Sequence, residues 1–187
     1  MKVGNRKGFS LIEIGIVMVV IGLIIAAVMK GKDVIGNAEI KKINQEFFNK
    51  WVNIADGYYD KTGRNLSDVA DITADSNVTT DKLQAAGFEY PETSLSITGE
   101  TITSTVTVGF KSNDVDTADK TREIVWFQDV PGDIAIAYDK LVDGVYDGTD
   151  GKARIIDIDT VDTNATITGT SVEDSSTKYD VIVVLDR

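Results

Sequence analysis

Glu13 is a carboxylate set inside an otherwise apolar run, Phe9 to Met29, that follows a short basic leader carrying Lys2, Arg6 and Lys7. A charge at membrane depth is expensive, and where one occurs it marks a functional pairing. The chemistry open to Glu13 is ion pairing with a buried cation. A second set, Asp139, Asp143, Asp147 and Asp150, is interspersed with Gly144, Gly148 and Gly151. Carboxylates on a glycine-bearing loop suit calcium, which takes six to eight oxygen ligands from flexible segments. The spacing does not match the EF-hand loop. The same residues also make plain Asp/Gly turns on an acidic surface, so both readings stand at this point.

The chain has no histidine and no cysteine. Thiol and imidazole nucleophiles, Cys/His zinc sites and disulfides are thereby removed. No nucleophile elbow, P-loop or dinucleotide fingerprint occurs. The reading is of a protein that is not an enzyme.

The elements that position these residues divide the chain by composition. Phe9 to Met29 is long enough to cross a bilayer as a helix, and longer than the apolar core of an ordinary secretory signal. Beyond it, Ile40, Ile43, Phe47, Trp51, Ile54 and Tyr58 recur at intervals of three and four, which is one face of a helix. No proline interrupts residues 9–90. The simplest expectation is one helix from about Ser10 to about Tyr59, roughly 75 Å at 1.5 Å per residue. Gly15, Gly22, Gly31 and Gly36 are its weak points, at about 1 kcal/mol each. Its amphipathic half is expected to be covered by the protein's own sheet.

From Thr62 the chain turns rich in Thr, Asp, Ser and Gly. Residues 65–77 read as a loop, and Thr79 to Gly87 as a short helix with a Thr cap and a terminal Gly. Thr101 to Phe110 alternates Ile102, Val106, Val108 and Phe110 with threonines, the pattern of a half-buried strand. Arg122–Gln128, Lys152–Asp159, Asn164–Thr170 and Lys178–Asp186 read as further strands. Pro131 to Val142 reads as a helix with proline in its first turn. The expected fold class is α+β: a long N-terminal helix packed on an antiparallel β-sheet head.

The run Lys7-Gly8-Phe9-Ser10-Leu11-Ile12-Glu13 resembles the class III signal of type IV pilins and type II secretion pseudopilins. That resemblance covers roughly the first quarter of the chain. It implies cleavage between Gly8 and Phe9 by a prepilin peptidase and N-methylation of Phe9. It also implies that Glu13 pairs with the methylated Phe9 amine of a neighbouring subunit during assembly. The expected organisation is a leader over residues 1–8, a transmembrane or filament-core helix over 9–29, its amphipathic half over 30–61, and a pilin-like head over 62–187. Many members close the C-terminal region with a disulfide; this chain has no cysteine, so another device must hold that half. The acidic stretch from Asp139 to Gly151 looks like a segment that follows a short helix in some pseudopilin heads, where a calcium site occurs.

The formal net charge is −11, and −14 once the three leader cations are gone. Such a surface disfavours general nucleic-acid binding. The function expected is that of a structural subunit of a type IV pilus-like filament. The alternatives are a type II secretion pseudopilin and a membrane-anchored calcium- or ligand-binding domain that does not polymerise. The partners implied are like subunits, the prepilin peptidase, the filament assembly platform and the inner membrane. The location implied is a single pass through the inner membrane, then an extracellular pilus or a periplasmic pseudopilus.

Overall fold

The computed structural model describes residues 10–68, 77–114, 121–157, 169–174 and 176–185. The chain divides into two compact units, residues 1–41 and 42–187. The first unit holds most of α1 (Leu11–Ile43). Leu11 to Val28 is a helical stretch, apolar apart from Glu13, that is exposed throughout.

In the second unit a five-residue π-helical turn, Asn44–Phe48, leads into α2 (Asn49–Thr62). A turn closed by i→i+5 bonds takes in an extra residue. Here it lets both Phe47 and Phe48 meet the sheet: their rings lie 5.8 and 4.6 Å from that of Phe127. The expected stripe is present, with Phe47, Trp51, Ile54 and Tyr58 buried and Ile40 and Ile43 half-buried. The buried face is wider than the spacing implied, because Asn44, Phe48, Val52 and Ala55 join it.

The remaining elements are α3 (Asn77–Ala85), β1 (Ser94–Thr98), β2 (Thr103–Asp114), β3 (Thr121–Pro131), α4 (Gly132–Asp143), β4 (Ala153–Ile156) and β5 (Lys178–Leu185). The strands form one antiparallel sheet in the order β1-β2-β3-β5-β4. The α+β class is therefore as expected: an apolar N-terminal helix and an antiparallel sheet.

Details differ from the sequence expectations. β1 was not expected, and β4 is shorter than residues 152–159. The strand expected at Asn164–Thr170 falls mostly outside the described residues, and Gly169 and Thr170 are not in a strand. α3 starts at Asn77 rather than Thr79. Ile102 lies in the β1–β2 turn rather than on the strand face with Val106.

One face of the sheet carries Val106, Val108, Phe110, Val125, Phe127, Val181 and Val183, all buried. The helices pack there: Trp51 lies 5.6 Å from Phe110, and Phe48 lies 4.5 Å from Tyr138 of α4. On the other face Ile124, Trp126, Ile156, Ile182 and Val184 form a second buried cluster. The central strands are thus apolar on both sides, which is why β5 reads as a nearly continuous run of Val and Ile.

Candidate functional site

Two places gather the residues singled out by sequence. The first is the start of α1. Ser10 precedes the helix, and its carbonyl accepts the N–H groups of Glu13 and Ile14 at 3.0 and 3.3 Å. The Glu13 carboxylate turns back, and Oε2 accepts the Ser10 N–H at 2.8 Å. The Ser10 hydroxyl faces the Ile12 N–H at 3.4 Å. This is the reciprocal capping arrangement of Ser-x-x-Glu, which satisfies N–H groups that a helix start leaves without partners. Its signal is present in the sequence as Ser10-Leu11-Ile12-Glu13, and the reading of Glu13 as a buried-pair residue passed over it.

A carboxylate in the first turn also meets the positive end of the helix dipole. Glu13 is exposed, like every residue of the helix around it. Oε2 is engaged by the backbone, and Oε1 has no partner among the described residues. Gly8 and Phe9, the residues of the expected cleavage and methylation, lie outside the described residues.

The second place is the connection from α4 to β4. Asp139 projects from α4 and is fully buried. Its Oδ2 accepts the N–H groups of Asp147 and Gly148 at 3.1 and 3.2 Å. Its Oδ1 meets no hydrogen-bond donor among the described residues. Burial pushes the Asp139 carboxyl above its ordinary value of 3.8; the two N–H donors pull it down, and the charges of Asp147 and Asp143 push it up. Asp143, one turn on, grips the end of the loop: Oδ1 accepts the Lys152 N–H at 3.1 Å and Oδ2 the Ala153 N–H at 2.9 Å. Asp147 Oδ1 accepts the Asp150 N–H at 3.1 Å. Asp150 itself is exposed and enters this set through its N–H, not its carboxylate.

The loop comes this close to Asp143 and to its neighbours because two positions are glycine. Gly148 and Gly151 have φ of +65° and +91°, and a Cβ at either would collide, with the Thr170 carbonyl and the Asp143 carboxylate respectively. Such φ values favour glycine.

The same style of closure holds the following segment. The Tyr146 hydroxyl accepts the Val172 N–H at 2.6 Å. The Tyr179 hydroxyl accepts those of Glu173 and Asp174, both at 3.2 Å. Burial pushes the neighbouring Tyr138 hydroxyl far above its ordinary range, with the Asp143 charge adding to the effect.

Sequence reasoning brought the acidic residues to attention as ligands. The structure joins Asp139, Asp143 and Asp147 through backbone amides. It adds Tyr146 and Tyr179, for which no sequence signal existed. Among the described residues no group of three or more carboxylates is placed to hold a metal ion. These hydrogen bonds close this half of the head.

Comparison with family models, curated proteins and solved structures finds no match. Function is therefore argued from the two sites alone. The first offers an exposed apolar helix headed by a carboxylate whose Oε2 caps it. The second offers a rigid, acidic surface loop with no open cradle among its described residues.

Proposed function

We propose that this chain is a membrane-inserted subunit of a type IV pilin-like filament. The observation that carries the reading is the helix from Leu11 to Val28. It is 18 residues long, none of it is buried by the rest of the chain, and Glu13 sits in its first turn. At 1.5 Å per residue such a stretch is about 27 Å long, close to the roughly 30 Å of a bilayer's hydrocarbon core. Apolar surface on this scale needs a non-aqueous partner. Lipid supplies it before assembly, and other copies of the helix supply it afterwards.

In this reading a membrane peptidase cuts after Gly8 and the Phe9 amine is methylated. That amine is a cation generated beside an apolar helix. The Oε1 of a neighbour's Glu13 neutralises it, and the pair fixes the axial step between subunits. A buried charge left without its partner costs several kcal/mol, so the pair selects one register. The head, with its clasped acidic loop, faces water.

Intact-mass spectrometry of the membrane fraction tests this. A mature chain beginning at N-methylated Phe9 is expected, and an unprocessed chain would overturn the proposal. Electron microscopy of sheared surface filaments, with mass spectrometry of their subunits, then separates an extracellular pilus from a periplasmic pseudopilus. Both make the same demands on the N-terminal residues.

A further inference from the structure

The two edges of the sheet are unlike. β4 is closed by its own chain: the Ile155 N–H donates to the Gly148 carbonyl at 2.9 Å, and the Ile155 carbonyl accepts the Thr170 N–H at 2.6 Å. β1 is open. The Val108 N–H donates to the Thr93 carbonyl just before β1, and the Gly99 N–H donates to the Ile102 carbonyl just after it. Hydrogen-bonded and non-bonded pairs alternate along an antiparallel ladder. The N–H and C=O groups of Leu95 and Ile97 are therefore turned onto β2, and those of Ser94, Ser96 and Thr98 are turned outward.

Those outward residues are exposed. Natural edges are guarded by charged side chains, proline, bulges or a covering segment. Within Ser94–Thr98 there is no charge and no proline, and the register with β2 is unbroken at every position.

We propose that the outer edge of β1 is a docking site for an extended strand of a partner protein, one that alternates apolar and small polar residues and carries basic residues at its ends. Strand addition of this kind takes its affinity from main-chain bonds and its specificity from alternate side chains. On one face the incoming strand would lie beside Leu95 and Ile97, half-buried and buried, which favours apolar residues. On the other it would lie beside Ser94, Ser96 and Thr98, whose cross-strand neighbours are Thr107, Thr105 and Thr103. That face favours small polar residues.

Charge sets the ends. Glu89 and Glu92 precede β1 and Glu100 follows it, all exposed, on a chain of net charge −11. Lysine or arginine flanking the incoming strand complements them. A second copy of this chain would bring the same carboxylates and is disfavoured. The inference stands apart from the filament reading, since it uses nothing of α1.

The test uses the full chain in detergent micelles and a synthetic peptide that alternates valine and threonine with a lysine at each end. Residue-resolved amide exchange is the readout. Protection of the Ser96 and Thr98 amides should rise by about tenfold or more, while Leu95 and Ile97, already bonded within the sheet, stay unchanged. Ser96→Pro should abolish the effect, because proline at an outward edge position removes only the docking N–H. A peptide N-methylated at its threonines, whose N–H groups face β1 in an antiparallel addition, should also fail to protect, and that control leaves the protein unaltered.

No protection at millimolar peptide would overturn the proposal. Equal protection by a glutamate-ended peptide would overturn the basic-ended partner. Protection that appears without peptide and grows with protein concentration would make the occupant a second copy instead.

Discussion

The apolar stretch of α1 and the strand β5 are built from the same residue types and meet opposite fates. Ile12, Ile16, Leu23 and Val28 are 60–70% exposed, and Leu11 is 91% exposed. Val181, Ile182, Val183 and Val184 of β5 are at most 1% exposed. An apolar run therefore reports only a need for non-aqueous surroundings. β5 finds them inside its own domain, between the helices on one face and the Trp126 cluster on the other. Leu11–Val28 of α1 is exposed along its length, and in the reading proposed above lipid or further copies supply those surroundings.

The largest effect that sharpens this contrast lies in the head. Trp51 is buried, donates Nε1–H to the Glu92 carbonyl at 3.0 Å, and packs on Tyr90 and Phe110. Trp51→Ala should lower the head's stability by about 3–5 kcal/mol, the range for a large aromatic removed from a core. Denaturant titration of the full chain in micelles measures it. An equivalent truncation at exposed Ile16 should leave that titration unchanged. If Ile16→Ala destabilises the head as much, the two regions are not separate in their energetics.

Glu13→Val comes next. It should leave the denaturation of the head unaltered and keep the chain in the membrane. Incorporation into filaments should fall by about tenfold or more, since an unpaired buried amine costs several kcal/mol. Quantifying sheared filaments against membrane-held subunit decides it. Unchanged incorporation would remove Glu13 from assembly and leave it as a helix cap.

The clasp gives a smaller effect with a definite pH signature. Asp139→Ala strips the acceptor from two N–H groups and should cost about 1–3 kcal/mol. Asp139→Asn keeps an acceptor oxygen and should cost less. The folded-state carboxyl is raised by burial from its ordinary 3.8, so the folded state holds its proton more tightly than the unfolded one. Its contribution to stability is then greatest at acid pH and is lost as pH rises through the raised value. Comparing melting curves of the parent and Asp139→Asn across the acid range isolates this term. The parent should lose stability relative to the variant as pH rises. A parent that instead gains over the variant would show the carboxylate to be the stabilised form.

Calcium is expected to have the smallest effect. Asp139 Oδ2, both oxygens of Asp143 and Asp147 Oδ1 already accept backbone N–H groups. Millimolar calcium should therefore move the melting temperature no more than magnesium does, relative to chelator. A calcium-specific rise of several degrees would show that the loop closes on a cation, because a ligand at about 100 Kd adds about 2.7 kcal/mol.

Much of the fold was legible because its signals are local. The spacing of Phe47, Trp51, Ile54 and Tyr58 placed the helix face, and the alternation from Val106 to Phe110 placed β2. β3, α4 and β5 lay within a few residues of their expected bounds. β1 was not legible: Ser-Leu-Ser-Ile-Thr offers two apolar positions, too few to stand above loop composition. The clasp was half legible. Aspartates spaced by glycines announce a tight acidic turn, but a carboxylate that will accept an amide looks in sequence like one that will hold a cation.

Sequence alone determined that residues 9–29 need an apolar environment, that Glu13 heads them, and that no thiol can close the head. Those properties reside in residue type and short spacing, which the chain carries wherever it folds. Only the tertiary structure decided that β3 and β5 are buried on both faces, that the π-helical turn brings Phe47 and Phe48 together onto Phe127, and that Tyr146 holds Val172, 26 residues further along the chain. It also decided that, among the described residues, one sheet edge is closed and the other open. These depend on which segments become neighbours, and strand order is set by how many apolar surfaces are buried at once rather than by any residue's own preference.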